Sequence, residues 1–389
     1  LAARGGVVDM NPTRRSRIPE AGLFLVIAFL TLASRCGNQP NTNQVRVGAI
    51  LSLTGSAAQY GQWSKNGIEL AVSEVNSAGG IDGKQLAIIY EDDASQPSSA
   101  VAAVRKLLDA DHVNAIVGPL TSSNVLAVAP VVESSRIVLL SPSGSSPKIT
   151  NAGDFIFRNW PSDDFEGAAM ADFLAHDVKI KDVAVLAINN EYGVGVRDVF
   201  LKRAGQNGIR ILDSLTFEQD ATDFRTQISR ITSLHPGAIY APGHAKEVAR
   251  MILQARQLGF TGLFASSVAF ESPEVFKIAG KAADGTYYTA PSFDPNSQND
   301  LIRHFQQSYQ SRFGETAEVF AAHAYDAVNI LVLAFRNAKK DGITLTDALY
   351  KIRDFNGVTG NTTFDQNGDV IKPVSVKIAR DGAFQVAPH

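Results

Sequence analysis

Three serines in two glycine- and serine-rich turns are the residues of this sequence best placed to do chemistry. Ser122 lies in GPLTSS at 118–123, and Ser143 and Ser145 lie in SPSGSS at 141–146. Each turn follows a short apolar run, at 115–117 and 137–140. Such runs, bounded by turn signals, suit strands buried on both faces of a parallel sheet. Between the turns, Val125, Leu126, Val128, Ala129 and Val132 recur at helical spacing, so the unit reads strand, loop, helix, strand. Open parallel sheets bind ligands just beyond the carboxyl ends of their strands, where loops present free backbone N–H groups. Hydroxyls beside such amides suit a small anion, for instance a carboxylate. The plainer alternative is that these serines only cap helices. Two such loops on neighbouring strands favour the anion.

The elements that must hold these loops alternate strand and helix patterns from residue 45 onward, which predicts α/β layers with right-handed crossovers. Residues 45–51 and 86–90 read as strands. Ile68, Ala71, Val72 and Val75 form the stripe of a helix between them. Residues 101–108 predict the next helix, and 155–157 close the first half before a linker at 161–163. The second half repeats the logic, with strands at 183–188, 211–217, 238–240, 263–265 and 286–289. Two consecutive helical patterns, 299–313 and 319–338, break the alternation where the chain returns to the first half. Residues 362–378, with Asn367-Gly368 at the turn, read as a hairpin.

The 389 residues are 45% hydrophobic and 19% charged with a formal net charge of −3. That is a soluble globular balance with no basic excess to attract nucleic acid, and the length favours two domains. Arg14, Arg15 and Arg17 precede an apolar run at 23–32, then Ala33, Ser34 and Cys36, the only cysteine. This is the pattern of an export signal. Cys36 has the position of a lipoprotein acceptor, although Arg35 replaces the small residue expected before it; ordinary secretion is the alternative. Residues 37–44 are a polar spacer. Dinucleotide, P-loop and calcium-loop motifs all fail: in YGVGVRD at 192–198 the third glycine position is Asp198, and the loop begun by Asp365 has Val370 and Val376 at its sixth and twelfth positions. No metal spacing and no nucleophile elbow occurs, so neither a cofactor nor catalysis is expected.

Taken in order, VGAILSLTGSAAQYG (47–61), NSAGGIDGKQL (76–86), DDAS (92–95), GPLTSS, SPSGSS, EYGVG (191–195) and LQARQLGF (253–260) resemble the type I periplasmic solute-binding proteins of the leucine/isoleucine/valine-binding class. The resemblance implies an α/β fold of two doubly wound parallel-sheet lobes joined by a three-crossing hinge. One lobe would hold 45–161 and 291–356, the other 162–290 and 357–389. By motif, Ser122 and Ser145 match hydroxyl-plus-amide ligands of a carboxylate, and Ser143 matches a backbone ligand. Tyr60 and Tyr192 match aromatic walls from opposite lobes. Phe320 falls where an apolar wall residue is common, with core packing as its other reading. His244 lies at a site often held by Tyr.

One departure bears on the ligand. In amino-acid-binding members a carboxylate after the LQARQLGF element grips the ligand ammonium, and here that position is Val268. Glu271 would substitute only if the loop shifted by three residues. Without an acid, an α-amino acid would bury an unpaired ammonium, and the ligand would be an acid lacking the amine, or an amide. The expectation is an exported, monomeric binding protein, periplasmic or lipid-anchored. It would deliver a small carboxylate-bearing solute to the permease of an ABC importer. A ligand-sensing module reporting to a receptor is the alternative.

Overall fold

The apolar runs pair side by side as expected of strands buried on both faces. The computed structural model describes residues 43–291 and 293–387; the expected export signal and Cys36 lie outside them. In the first half, β1 (Gln44–Leu51), α1 (Ala58–Ser77), β2 (Gln85–Asp92), α2 (Pro97–Asp109), β3 (Ala115–Val117), α3 (Ser122–Ser135), β4 (Leu139–Ser141) and β5 (Ile156–Arg158) alternate along the chain. Their five strands form an all-parallel sheet in the order β2-β1-β3-β4-β5.

After the first crossing, α4 (Asp163–His176), β6 (Asp182–Ile188), α5 (Glu191–Gln206), β7 (Arg210–Phe217), α6 (Arg225–Thr232), β8 (Ala238–Tyr240), α7 (Ala245–Gln257), β9 (Leu263–Ser266), α8 (Pro273–Ala279) and β10 (Tyr287–Pro291) build the second layer. The helices α9 (Asp300–Phe313), α10 (Val319–Asp341) and α11 (Leu345–Tyr350) then return to the first half. They are followed by β11 (Phe355–Gly357), β12 (Gly360–Thr362), β13 (Val374–Arg380) and β14 (Ala383–Val386). The second sheet runs β14-β13-β10-β9-β8-β6-β7. It is parallel from β10 to β7, but β13 and β14 join antiparallel, an edge that the strand-helix alternation does not signal.

The hairpin expected at 362–378 is replaced by three pieces. β12 pairs with β11, a single bridge links Phe364 to Val370, and β13 leaves for the second sheet. The turn at 365–369 is held by Asp365, whose Oδ1 accepts the N–H groups of Asn367 (2.8 Å) and Asp369 (2.9 Å). Residues 358–370 pack on the first half. Val358 and Thr359 donate their N–H groups to Asp326 of α10, and the Phe364 ring meets Phe157 edge-on at 5.4 Å.

α10 is apolar enough and, at 23 residues, long enough to span a membrane, yet it is a core helix. Its first sixteen residues are buried apart from Asn329 and Leu333, because it packs against both α1 and the first sheet. Glu318 caps it by accepting the N–H groups of Phe320 and Ala321, and Gly342 ends it in the left-handed conformation. The close crossing with α1 depends on Gly67: a Cβ there would fall 2.2 Å from the Ala321 carbonyl oxygen. An Ala in mid-helix normally stabilises relative to Gly, so the sign here is set by the crossing. Gly67→Ala is expected to lower stability by about 1–3 kcal/mol through overpacking, read as a lower urea midpoint with an unchanged m-value.

Candidate functional site

The first sheet ends in two loops that face the second. After β3 the chain turns at Gly118, with φ +88° and a would-be Cβ only 2.1 Å from the Ile50 carbonyl oxygen, so only glycine fits. The turn brings Ser122 to the first residue of α3. Its buried Oγ does not cap that helix. It accepts the backbone N–H groups of Ser145 (3.1 Å) and Ser146 (3.0 Å) from the neighbouring loop. A hydroxyl has two lone pairs and one proton, so Ser122 has its proton left for whatever fills the space in front of it. Ser143 turns its hydroxyl to the Leu120 carbonyl (2.8 Å). The Ser145 Oγ lies 3.0 Å from Asp163 Oδ2.

Arg158, fully buried at the end of β5, fixes the second loop from behind. Its Nη1 donates to the carbonyls of Ser145 (3.0 Å) and Ser146 (2.9 Å). Its Nε and Nη2 grip Asp369 at 2.6 and 2.7 Å, and Nη2 also reaches Thr150. The Asp365–Asp369 turn, set aside as a metal loop, therefore anchors this guanidinium.

A cavity of about 640 Å³ lies between the ends of the two sheets. Tyr60, Ser122, Ser143, Ser145, Tyr192, His244, Val268 and Phe320 all line it. Glu271 does not. Its carboxylate accepts two hydrogen bonds from Lys377 Nζ at 2.8 and 2.9 Å, so the three-residue shift that would bring it to the ligand does not occur. The cavity lining includes one acid, Glu191, and it pairs with Lys148 at 2.8 Å.

The walls are aromatic. Phe320 stacks on Trp160 (5.1 Å between centroids, 25° between planes) and leans on Tyr60 at 4.7 Å. Tyr192 and His244 are nearly parallel, 8° apart and 6.3 Å between centroids. Burial pushes the His244 imidazole down, so it is neutral near pH 7, and its Nδ1 has no partner. Trp160 was not among the residues singled out from the sequence. It sits on the first crossing, fully buried, and its indole Nε1 is an unsatisfied donor at the cavity wall. A Trp beside the Pro161 of a crossing is the signal that was there to be read.

Contacts between the halves frame the cavity. The Tyr60 hydroxyl donates to the Ala269 carbonyl (2.6 Å) and accepts the Ala245 N–H (3.2 Å). At the opposite side the Glu191 N–H donates to Ser123 Oγ (3.2 Å). Behind the wall, Asp163 and Glu166 are fully buried on the first turn of α4. Burial pushes the Asp163 carboxyl up to about 7, and burial together with the Asp163 charge pushes Glu166 well above the usual carboxylate range. Asp163 Oδ1 and Glu166 Oε1 have no partner. Glu166 Oε2 accepts from Thr289 Oγ1 and from the Val268 N–H. A wall of hydroxyl, indole and imidazole groups with aromatic faces can hold a small anion with an apolar body. Among the described residues no group of His, Cys, Asp and Glu is arranged to hold a metal ion.

Residues 44–382 match the periplasmic binding protein family. A leucine-, isoleucine-, valine-, threonine- and alanine-binding protein of Pseudomonas aeruginosa is 29% identical over 352 residues, which cover 90% of this chain and 93% of that protein. The crystal structure of a leucine-binding protein, LivK, from Thermotoga maritima superposes with a TM-score of 0.83 at 29% identity, covering 88% of this chain and 98% of that one. The branched-chain amino acid transporter substrate-binding protein LivJ of Streptococcus pneumoniae, solved in complex with isoleucine, gives 0.82 at 28% identity, covering 88% and 99%. The chain belongs to the periplasmic binding protein family, in its type I leucine/isoleucine/valine-binding class.

Proposed function

We propose that this protein captures a small carboxylate-bearing solute between its lobes and delivers it to the permease of an ABC importer. The single observation that carries this reading is the Ser122 hydroxyl. Its lone pairs are taken by two backbone N–H groups, which leaves its proton for the aromatic-walled cavity that the residue lines. Hydrogen bonds to a charged group contribute more than neutral ones, and such an anion needs no buried counter-charge. The transporter assignment draws on the relatives, one of which is described as a transporter's substrate-binding protein. Export accords with that family and with the pattern at 14–36; lipidation of Cys36 and a monomeric state are part of the proposal.

Two ligand classes follow from different observations. The relatives' names favour a branched-chain amino acid. The cavity favours an acid without the amine, since Val268 holds the expected acid position, Glu191 pairs with Lys148 and Glu271 with Lys377. Thermal shift with L-leucine and 4-methylpentanoate separates them, because a ligand at a hundred times its Kd adds about 2.7 kcal/mol of stability. The second acid is expected to raise the Tm more. Equal or larger stabilisation by leucine favours the amino acid, and no shift with either removes the carboxylate reading.

Ser122→Ala is expected to weaken carboxylate binding ten- to a hundredfold, about 1.5–3 kcal/mol, by deleting a hydrogen bond to a charged group. Calorimetry reads the loss. Unchanged affinity in a folded variant takes this loop out of the site.

We further take the lobes to be 45–161 with 291–370, and 162–290 with the segment after Val370; residues 357–370, expected in the second lobe, are assigned to the first because they pack there. The bonds from Tyr60 to Ala245 and Ala269 then hold a closed state. Saturating ligand is expected to reduce the radius of gyration in small-angle scattering; an identical radius with and without ligand contradicts closure.

A further inference from the structure

We infer that Asp163 is a positioning residue whose proton sets the direction of the Ser145 hydroxyl, so that a carboxylate is captured together with a proton. This rests on the carboxylate reading above and adds what that reading lacks, a reason for the buried acid behind the site.

The geometry leaves two arrangements. Ser145 Oγ and Asp163 Oδ2 are 3.0 Å apart and both buried, so one proton lies between them. When Asp163 is ionised it can only accept. The Ser145 hydroxyl then donates backward and shows its lone pairs to the cavity, which repels a carboxylate. When Asp163 is protonated, its O–H donates to Ser145 Oγ. The serine proton is then free to turn into the cavity beside that of Ser122. The two hydroxyls thus present a pair of donors only when the carboxyl behind them carries a proton. Ligand binding draws that proton from solvent, and no covalent bond changes.

The surroundings allow both states. Arg158 on β5 is the cation facing Asp163, but Asp369 already grips it in a two-point pair. Asp164 and Glu166 on the same helix, and the hydroxyls of Tyr192 on α5 and Tyr240 on β8, complete the groups facing it. Across α4, Lys377 of β13 is taken by Glu271. The helix start favours the ionised form, whereas burial opposes it more strongly and brings the group up to about 7. Glu318, at the start of α10, is also raised by burial, to about 8, but it bonds to the N–H groups of Phe320 and Ala321 and not to a cavity hydroxyl.

The experiment is calorimetry of the full chain with 4-methylpentanoate and with its neutral amide, in buffers of different ionisation enthalpy. Above about pH 6 the acid itself is ionised, so any proton taken up comes to the protein. The wild type is expected to take up about one proton per acid bound at pH 8. Its affinity is expected to fall by up to about tenfold per pH unit above 7, and to be flat below about pH 6. The amide should show neither effect, because its NH₂ donates to the Ser145 lone pairs directly. Asp163→Asn, which always offers an N–H to Ser145, should bind the acid with no uptake and a flat pH profile. Glu166→Gln should keep the uptake, which places the proton on Asp163 and not on its neighbour. If Asp163→Asn does not fold, Ser145→Ala serves, binding more weakly and without uptake. Acid binding by wild type with no proton uptake between pH 6 and 9, or uptake retained in Asp163→Asn or Ser145→Ala, overturns this inference and leaves the carboxylate reading standing. Failure of the acid to bind at any pH overturns both.

Discussion

One buried guanidinium ties the candidate site to the rest of the fold. Arg158 spends its donors on two carbonyls of the Ser145 loop, on Thr150 and on Asp369 near the third crossing. A carbonyl pair that faced an apolar interior would leave costly unsatisfied acceptors. With Arg158 in place, the same loop can turn its N–H groups toward Ser122. The hydroxyl-lined face of the cavity is thus the front of an arrangement whose back is an ion pair. The chain arrives at Asp369 more than two hundred residues after Arg158, so the guanidinium behind the N-terminal loops is held by a residue of the C-terminal segment.

Much of this was legible because it is local. Short apolar runs ending in Gly- and Ser-rich turns declared β3, β4 and the loops that carry Ser122, Ser143 and Ser145, whereas Tyr60, Tyr192, His244, Val268 and Phe320, which line the same cavity, were pointed to by the family resemblance alone. What was illegible is long-range pairing. Nothing near Glu271 reveals that Lys377, 106 residues on, will claim it. The hairpin read at 362–378 failed for the same reason, since β13 pairs with β10 and β14 and not with the segment before it. Asp163 read as part of the linker at 161–163, and Glu166 drew no reading at all. Only the second sheet, packed over them, turns them into buried groups.

The two halves of the cavity wall differ in kind. The first half contributes the hydroxyls of Ser122 and Ser143, held by backbone partners, and that of Ser145, which faces Asp163. The second contributes Tyr192, His244 and the Val268 segment, with ionisable groups one layer behind. Orientation of a carboxylate is therefore set by the hydroxyl side, while the charge state of the pocket is set across the gap.

The Tyr60 phenol gives the encounter with solute a particular energetic character. Both of its hydrogen-bonding roles are filled by the backbone of the other half, Ala269 as acceptor and Ala245 as donor. Opening exchanges these two bonds for bonds to water, so the enclosed and open shapes of the empty protein are separated by little free energy from this contact. The solute then needs only a modest preference for the enclosed shape to dominate the population. On the far rim Glu191 meets Ser123 and Lys148. The Lys148–Glu191 pair is exposed enough for salt to screen it, so this contact between the halves weakens with ionic strength while the neutral bonds of Tyr60 do not.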